Sequence, residues 1–511
     1  MAVRAIVRCS HYQDSMALMR LAEALRALPG VREAAALMGT PANHEMLAVA
    51  GLAIPEAKDA APGDLMIVVS AETDEAATSA LDRAAGLLEA KRRVRETAGR
   101  AVPRTLESAL RQQPDANLVA VSVPGPYAKL VALRALRRGL HVFLFSDNVP
   151  LADEIELKQA AARRGLLCMG PDCGTAYLGG VGLGFANEVA PGRIGCVAAS
   201  GTGLQAVASH LAALGEGISH GIGVGGRDLS AEVGGIMTTA ALEALAANPR
   251  TEVVVLISKP PAPGVMAELE AAIRTFPKPV VVCCLGAAPR GDGRAPWVRT
   301  LEDAAHAAAA LARRQPWTAR AFTDPAAVRT RLESIRRGRG ETRVLGLYTG
   351  GTLAWEARLL LEPLLGTVGA RLDDRGHRVI DLGGDEFTIG RPHPMLDPEA
   401  RAARVRQAGR TRDVGVLLVD LVLGRAAHPD PARPLAAAIH DARRAAEADG
   451  RALVVAASVV GTERDPQGLA RQVTALEAAG AHVLPSNAQA ARFAALAVKP
   501  DLAPALLGGT G

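Results

Sequence analysis

Residues 194–203 read IGCVAASGTG, and residues 344–352 read VLGLYTGGT. In each, an apolar run stops at small and hydroxyl residues: Ser200, Gly201, Thr202 and Gly203 in one, Thr349, Gly350, Gly351 and Thr352 in the other. A stretch with helical apolar spacing follows at once. Such a strand-to-helix junction leaves several backbone N–H groups unpaired and aimed one way, with the positive end of a helix dipole behind them. Glycine lets a ligand approach that backbone closely. The chemistry this serves is binding of a phosphate or carboxylate. The bland alternative is a capped helix that packs tightly and binds nothing.

Other residues that could do chemistry stand at the ends of further apolar runs. Gly225, Gly226 and Arg227 follow one run, and Gly383, Gly384 and Asp385 follow another. These six are read as substrate-binding, because paired glycines admit close approach and Arg227 can grip a carboxylate or phosphate with two hydrogen bonds. Lys259 closes VVVLISK just before Pro260 and Pro261. The loop Gly390-Arg391-Pro392-His393-Pro394 is stiffened by its prolines and presents Arg391 and His393. Lys259, His393 and Arg391 are the catalytic candidates. Asn148, Asp172, Cys173, Glu463 and Arg464 are secondary candidates for ligand contact. The six cysteines show no zinc-like spacing and read as reduced core residues, so no metal is expected.

The elements that carry these residues occur twice. After the two junctions come GIGVGGRDLS (221–230) and VIDLGGDEFT (379–388). Then VVVLISKPP (253–261) parallels VGVLLVDLVLG (414–424), and PVVVCCLG (279–286) parallels ALVVAASVVG (452–461). Four landmarks in one order describe a duplicated α/β unit. Strands separated by helices of about 10–15 residues imply parallel sheets flanked by helices, with ligands at the carboxyl ends of the strands. The expected domains are an N-terminal α/β domain at 1–105, a further βαβ series at 106–190, the first repeat at 191–312, a charged linker at 313–343, and the second repeat at 344–498.

The bulk properties agree. A length of 511 residues allows about three or four domains. Apolar residues make up 49% and aromatics only 3%, which suits helices packed tightly on sheets and argues against a base-stacking surface. The net charge of +5 is dispersed, so no nucleic-acid partner is expected. No apolar run reaches about 20 residues and the first residues read as a strand, so the expectation is a soluble, cytoplasmic protein with no membrane partner.

Residues 117–180 include Pro124-Gly125-Pro126-Tyr127 at a strand end and Gly170-Pro171-Asp172-Cys173 at a turn. They resemble the CoA-binding domain of the succinyl-CoA synthetase α subunit. Residues 191–312 and 344–498 resemble the two CoA-ligase domains that this enzyme carries on separate subunits. With YQDSMALM (12–19), MGTPANHEML (38–47) and GRPHPMLDP (390–398), the chain is similar to the FdrA family over nearly its whole length. The resemblance implies a Rossmann-like CoA-binding-type domain and two duplicated flavodoxin-like domains. It implies an acyl-CoA synthetase-like protein and, as for some members, a subunit of an oxamate carbamoyltransferase in allantoin catabolism, which interconverts oxalurate plus phosphate with oxamate plus carbamoyl phosphate. The alternatives are a succinate–CoA ligase-like subunit and a non-catalytic metabolite-binding scaffold. The implied partners are those small anionic metabolites and other protein subunits, within an oligomer.

Four departures from the ligase pattern stand out. The segment 285–305 contains no histidine where the ligase carries its phosphorylated one. Lys259 stands where a glutamate would orient that histidine. MGTPANHEM occupies the place of the Gly-rich CoA loop, and no ATP-grasp segment is recognisable. CoA is the cofactor the resemblance implies, and none is assigned from the residues themselves.

Overall fold

The computed structural model describes residues 2–508 other than 12, 14, 41–42, 45–46, 49–51, 53, 98–102, 289–294, 336–341 and 389–392. The chain divides into two units, Met1–Pro114 with Asp385–His393, and Asp115–Gly384 with Pro394–Gly511.

The first unit contains β1 (Ala2–Arg8), α1 (Ser15–Arg26), β2 (Val31–Met38), β3 (Leu65–Ala71) and α2 (Asp74–Thr97). Its sheet runs β1-β3-β2, with β3 antiparallel to both neighbours. The sequence predicts parallel strands. The difference arises because β1-α1-β2 is a split unit, whose two like-directed strands are parted by β3 returning between them. β3 is buried at every residue. Leu65, Ile67 and Val69 join a cluster with Leu18, Leu21 and Leu25 of α1, while Met66 and Val68 join one with Leu47 and Leu52. That is the two-residue alternation of a strand covered on both faces.

The second unit opens with β4 (Leu118–Val121), α3 (Gly125–Arg137), β5 (His141–Leu144), α4 (Leu151–Ala162) and β6 (Cys168–Met169), a small parallel sheet in the order β4-β5-β6. The hairpin β7 (Thr175–Leu178) and β8 (Val181–Gly184) pairs onward, through β7, to the first repeat, so that sheet begins before residue 191.

The first repeat comprises β9 (Pro191–Ala198), α5 (Gly201–Ala213), β10 (Ile218–Gly223), α6 (Ile236–Ala247), β11 (Val253–Ser258), α7 (Pro263–Arg274), β12 (Val280–Cys284) and α8 (Leu301–Arg313). The second comprises β13 (Arg343–Tyr348), α9 (Gly351–Leu365), β14 (Val368–Gly369), β15 (His377–Asp381), α10 (Glu399–Arg410), β16 (Val414–Val422), α11 (Ala432–Ala448), β17 (Val454–Val460), α12 (Leu469–Ala478), β18 (Ala481–Leu484) and α13 (Asn487–Val498). The sheets run β12-β11-β9-β10-β7-β8 and β14-β15-β13-β16-β17-β18. Leaving the edge strands β7, β8 and β14 aside, both follow the flavodoxin-like order, in which the first strand lies between the second and third. The first repeat reduces its fifth strand to a single parallel bridge, Val282 with Trp297.

The repeats pack through α5 and α8 of one and α9 and α13 of the other. α5 is apolar on nearly all sides, as a helix buried between layers must be. A polar network crosses this apolar interface. Glu356 of α9 accepts from the Leu301 N–H at the start of α8 (2.7 Å) and from Asn487 Nδ2 of α13 (2.8 Å). Glu302 of α8 accepts from Ser486 Oγ (2.8 Å) and from Gln489 Nε2 (2.5 Å). Each copy thus caps a helix start of the other copy or of its own partner layer, and the buried polar groups are satisfied in pairs.

Burial pushes the Glu356 carboxyl up to about 7, against hydrogen bonds from Leu301 and Asn487 that favour its charged form. A folded-state value above the ordinary one means that this group's contribution is full below about pH 4.5 and is lost as pH rises through about 7. We expect the stability of the wild type to fall between pH 5 and pH 8 by about 2–3 kcal/mol more than that of Glu356→Gln. Urea unfolding at the two pH values measures this, and parallel slopes would contradict it.

Candidate functional site

β9 ends at Ala198, and Ser200 caps α5, its Oγ accepting from Gly203 N–H (2.8 Å). β13 ends at Tyr348, and α9 begins at Gly351 after a Gly350 cap that has no side chain to offer. Ser200 Oγ and Thr352 Oγ1 lie 2.6 Å apart. The two junctions singled out by the sequence therefore face one another across the repeat interface, helix start to helix start.

Their electrostatics differ. At α9, Asp420 of β16 turns in: Oδ1 accepts from Thr349 N–H (2.9 Å), and Oδ2 accepts from Gly350 N–H (2.8 Å) and Thr349 Oγ1 (3.0 Å). Asp420 is fully buried and paired with Arg401 Nη1 at 3.2 Å, and Arg401 also donates to the Asp420 carbonyl. Beside it, the Asp381 carboxylate lies against the place where a Cβ on Gly351 would stand. The expectation that Thr349 and Gly350 hold a free anion is corrected: their amides hold a carboxylate of the protein itself.

The first repeat has no such acid. Its neighbouring strand β11 carries Ile257 and Ser258 at this level, and Ala199 N–H donates to the Ile257 carbonyl (2.9 Å). The N–H groups of Gly201 and Thr202 have no acceptor among the described residues. Thr175 Oγ1, at the start of β7, is buried without a hydrogen-bond partner and stands 3.5 Å from where a Cβ on Gly201 would lie. A buried unsatisfied hydroxyl is costly unless something meets it. The start of α5 thus combines a positive helix pole, two open amides and an orphan hydroxyl.

The other candidates are placed as follows. Lys259 is exposed, with Nζ 5.9 Å from the centroid of the Trp355 ring on α9; the Arg358 guanidinium lies on the same ring at 4.4 Å. Trp355 is one turn beyond Thr352, so Lys259 overlooks the same helix start. Arg227 is not open to a ligand in the expected way: Nε pairs with Glu154 (2.7 Å) and Nη2 donates to the Val149 carbonyl (2.8 Å). It belongs with a buried cluster in which Lys158 Nζ meets Glu154 and Asp228, each at 2.8 Å. Gly225, with φ of +88°, lets its turn press on the Pro171 carbonyl where any side chain would collide; Gly226 has open space.

Cys173 is buried against the Thr175 and Gly223 carbonyls, and burial pushes its thiol up to about 12, which removes it as a contact group. Asn148 and Asp172 both adopt left-handed backbone conformations at turns. Glu463 and Arg464 are exposed, whereas the adjacent Asp465 is buried and accepts from Thr462 N–H, Glu188 N–H and Asn187 Nδ2. Gly383 donates to Asp381, and Gly384 and Asp385 follow, Asp385 opening the short helix Asp385–Thr388. Arg391, with Gly390 and Pro392, lies outside the described residues. His393 groups with the first unit, and burial pushes it down to about 4. Residues that the sequence reading missed are Thr175, Asp420 and Arg401. An acid inside the apolar run VLLVDLVLG was the one signal that could have flagged Asp420.

A family model described as CoA-ligase matches residues 347–497, and one described as AllF, heavy metal-associated domain, matches residues 1–103. The uncharacterized protein YahF of Escherichia coli (strain K12) is 37% identical over 498 residues, covering 94% of this chain and 95% of YahF. The succinate–CoA ligase [ADP-forming] subunit alpha of Methanothermobacter thermautotrophicus is 31% identical over 186 residues, 35% of this chain and 61% of that protein. Among solved structures, the apo acetyl-coenzyme A synthetase 1 of Ca. Korarchaeum cryptofilum is similar at 17% identity and a TM-score of 0.28, over 77% of this chain and 84% of that one. The chain belongs to the FdrA-like, acyl-CoA synthetase-like family together with YahF, and its second repeat is a CoA-ligase domain. No helix among the described residues is long and apolar enough to cross a membrane.

Replacing Asp420 by alanine would leave the Arg401 charge buried and two amides unpaired. We expect Asp420→Ala to cost about 3–5 kcal/mol, read by chemical denaturation. Lys259→Ala, at an exposed position, should change stability by no more than about 0.5 kcal/mol.

Proposed function

We propose that the protein is a CoA-ligase-like enzyme subunit that holds phosphate, or the phosphate end of an acyl phosphate, on the start of α5. The observation that carries this reading is the asymmetry between the facing helix starts: one is neutralised by Asp420, and the other offers open amides beside the orphan Thr175 hydroxyl. Ser200 and Thr352 place two more hydroxyls at the same junction. An anion there gains preorganised donors that need no titrating group and no rearrangement during reaction. Lys259, beside Trp355 of the facing helix α9, supplies the cation for a second small anion such as a carboxylate substrate.

CoA is the cofactor that membership of this family implies. The segment in the place of its Gly-rich loop is MGTPANHEM (38–46), with a single glycine, Gly39. The Ala61 and Ala60 carbonyl oxygens crowd the place where a Cβ on Gly39 would stand. Carbonyl oxygens repel phosphate, so this turn does not fit a pyrophosphate, and no step is assigned to CoA.

A second reading is transfer of a carbamoyl group, as in the oxamate carbamoyltransferase reaction. It is favoured by the absence of a histidine in 285–305, where the ligase carries the one that relays a phosphoryl group. A phosphate oxygen held on α5 would attack the carbamoyl carbon of oxalurate. The bond to the oxamate nitrogen would break, and that nitrogen would take up a proton. Both readings use one phosphate site.

Titration of inorganic phosphate, followed by calorimetry, tests the shared site. Thr175→Val should weaken phosphate binding by about tenfold or more, the loss of one hydrogen bond to a charged group, without loss of stability. Absence of saturable binding to the wild type would sink both readings. Phosphorolysis of oxalurate by the complete complex, against CoA-dependent thioester formation, then separates them.

A further inference from the structure

One turn into the same pair of helices lies a cavity of about 110 Å³, walled by α5, α9, the end of β17 and the starts of α8 and α13. We propose that it is a second binding site, distinct from the anion site, for a small molecule that offers N–H donors and carries no negative charge: an ammonium ion or a primary amide.

The walls set this chemistry. Ser209 Oγ of α5 and Ser458 Oγ of β17 are both buried and both lack a hydrogen-bond partner. An apolar occupant would leave them unpaired. Glu302 and Glu356 also line the cavity, whereas no lysine or arginine does. An anion would therefore meet two carboxyl groups and no counter-charge. Each of the four carboxyl oxygens accepts one hydrogen bond from the protein, and an ionised carboxylate oxygen can accept a second, which for Glu356 requires a pH above about 7. His210, the remaining titratable wall, is pushed down to about 4 by burial and by His306, so it presents a neutral imidazole. The lining is rich in acceptors and in hydroxyls that can act as either partner. Two waters or more would also fit, since one needs roughly 10–15 Å³. What favours a specific occupant is that both residues with orphan hydroxyls line one space together with two acids.

The test uses the full chain and four probes: ammonium chloride, acetamide, sodium acetate and tetramethylammonium chloride, followed by thermal shift and calorimetry. Saturable binding of ammonium or acetamide, but not of acetate or tetramethylammonium, is the expected result. Which of the two binds distinguishes an amine from an amide ligand. In Ser209→Ala/Ser458→Ala that binding should weaken by about tenfold or more, while inorganic phosphate still binds as in the wild type. Should the double variant fail to fold, Ser458→Thr fills the space while keeping a hydroxyl and should likewise displace the probe. The proposal is overturned if neither ammonium nor acetamide binds saturably, if acetate binds as well as acetamide, or if binding survives in these variants. Loss of phosphate binding alone would count against the anion site and leave this one standing.

Discussion

Two helix starts cannot be brought within hydrogen-bond distance without negative charge between or behind them. Each carries roughly half a positive charge, and here Ser200 of one touches Thr352 of the other. The protein answers the problem once with its own atoms. Asp420 binds the Thr349 and Gly350 amides, Arg401 balances Asp420, and Asp381 crowds Gly351. At the start of α5 nothing comparable is provided. The two facing helix starts thus differ in charge: a buried carboxylate stands at one, and no such group stands at the other among the described residues.

The position of that site depends on a buried ionic cluster some way from it. Lys158, Glu154 and Asp228 lie inside the second unit with essentially no solvent exposure, and Arg227 clamps Glu154 from the edge. Buried ion pairs add little net stability, but each partner is intolerable alone. They fix α4 against the Gly225 turn, which presses on Pro171. From Pro171 the chain runs through Cys173 directly to Thr175. Arg227 is thus part of the fastening of this segment, its guanidinium held by Glu154 and the Val149 carbonyl.

The strand-to-helix junctions and the duplication were legible because each is written locally, whereas the doubly wound order entered only through the family resemblance. Apolar runs ending in Ser, Thr and Gly encode backbone geometry within a few residues. The neutralisation of one junction was not legible, since Asp420 lies about seventy residues from Thr349 in sequence and meets it only through the pairing of β13 with β16. The orphan state of Thr175 was equally hidden, because it depends on what fails to approach it. In the first unit, helical and strand periodicities revealed the elements, but nothing local shows that β3 inserts between its two predecessors. Arg227 misled for a related reason: an arginine after a glycine pair looks the same whether its carboxylate is substrate or Glu154.

Both halves of the interface that holds Ser200 against Thr352 belong to a single polypeptide. Dilution therefore cannot separate them, and the equilibrium that governs their apposition contains no concentration term. The tether acts as a standing effective molarity. Damage to Glu356, Asn487 or Ser486 would register as a lowered unfolding midpoint that does not vary with protein concentration, where a two-chain counterpart would simply fall apart as it was thinned out.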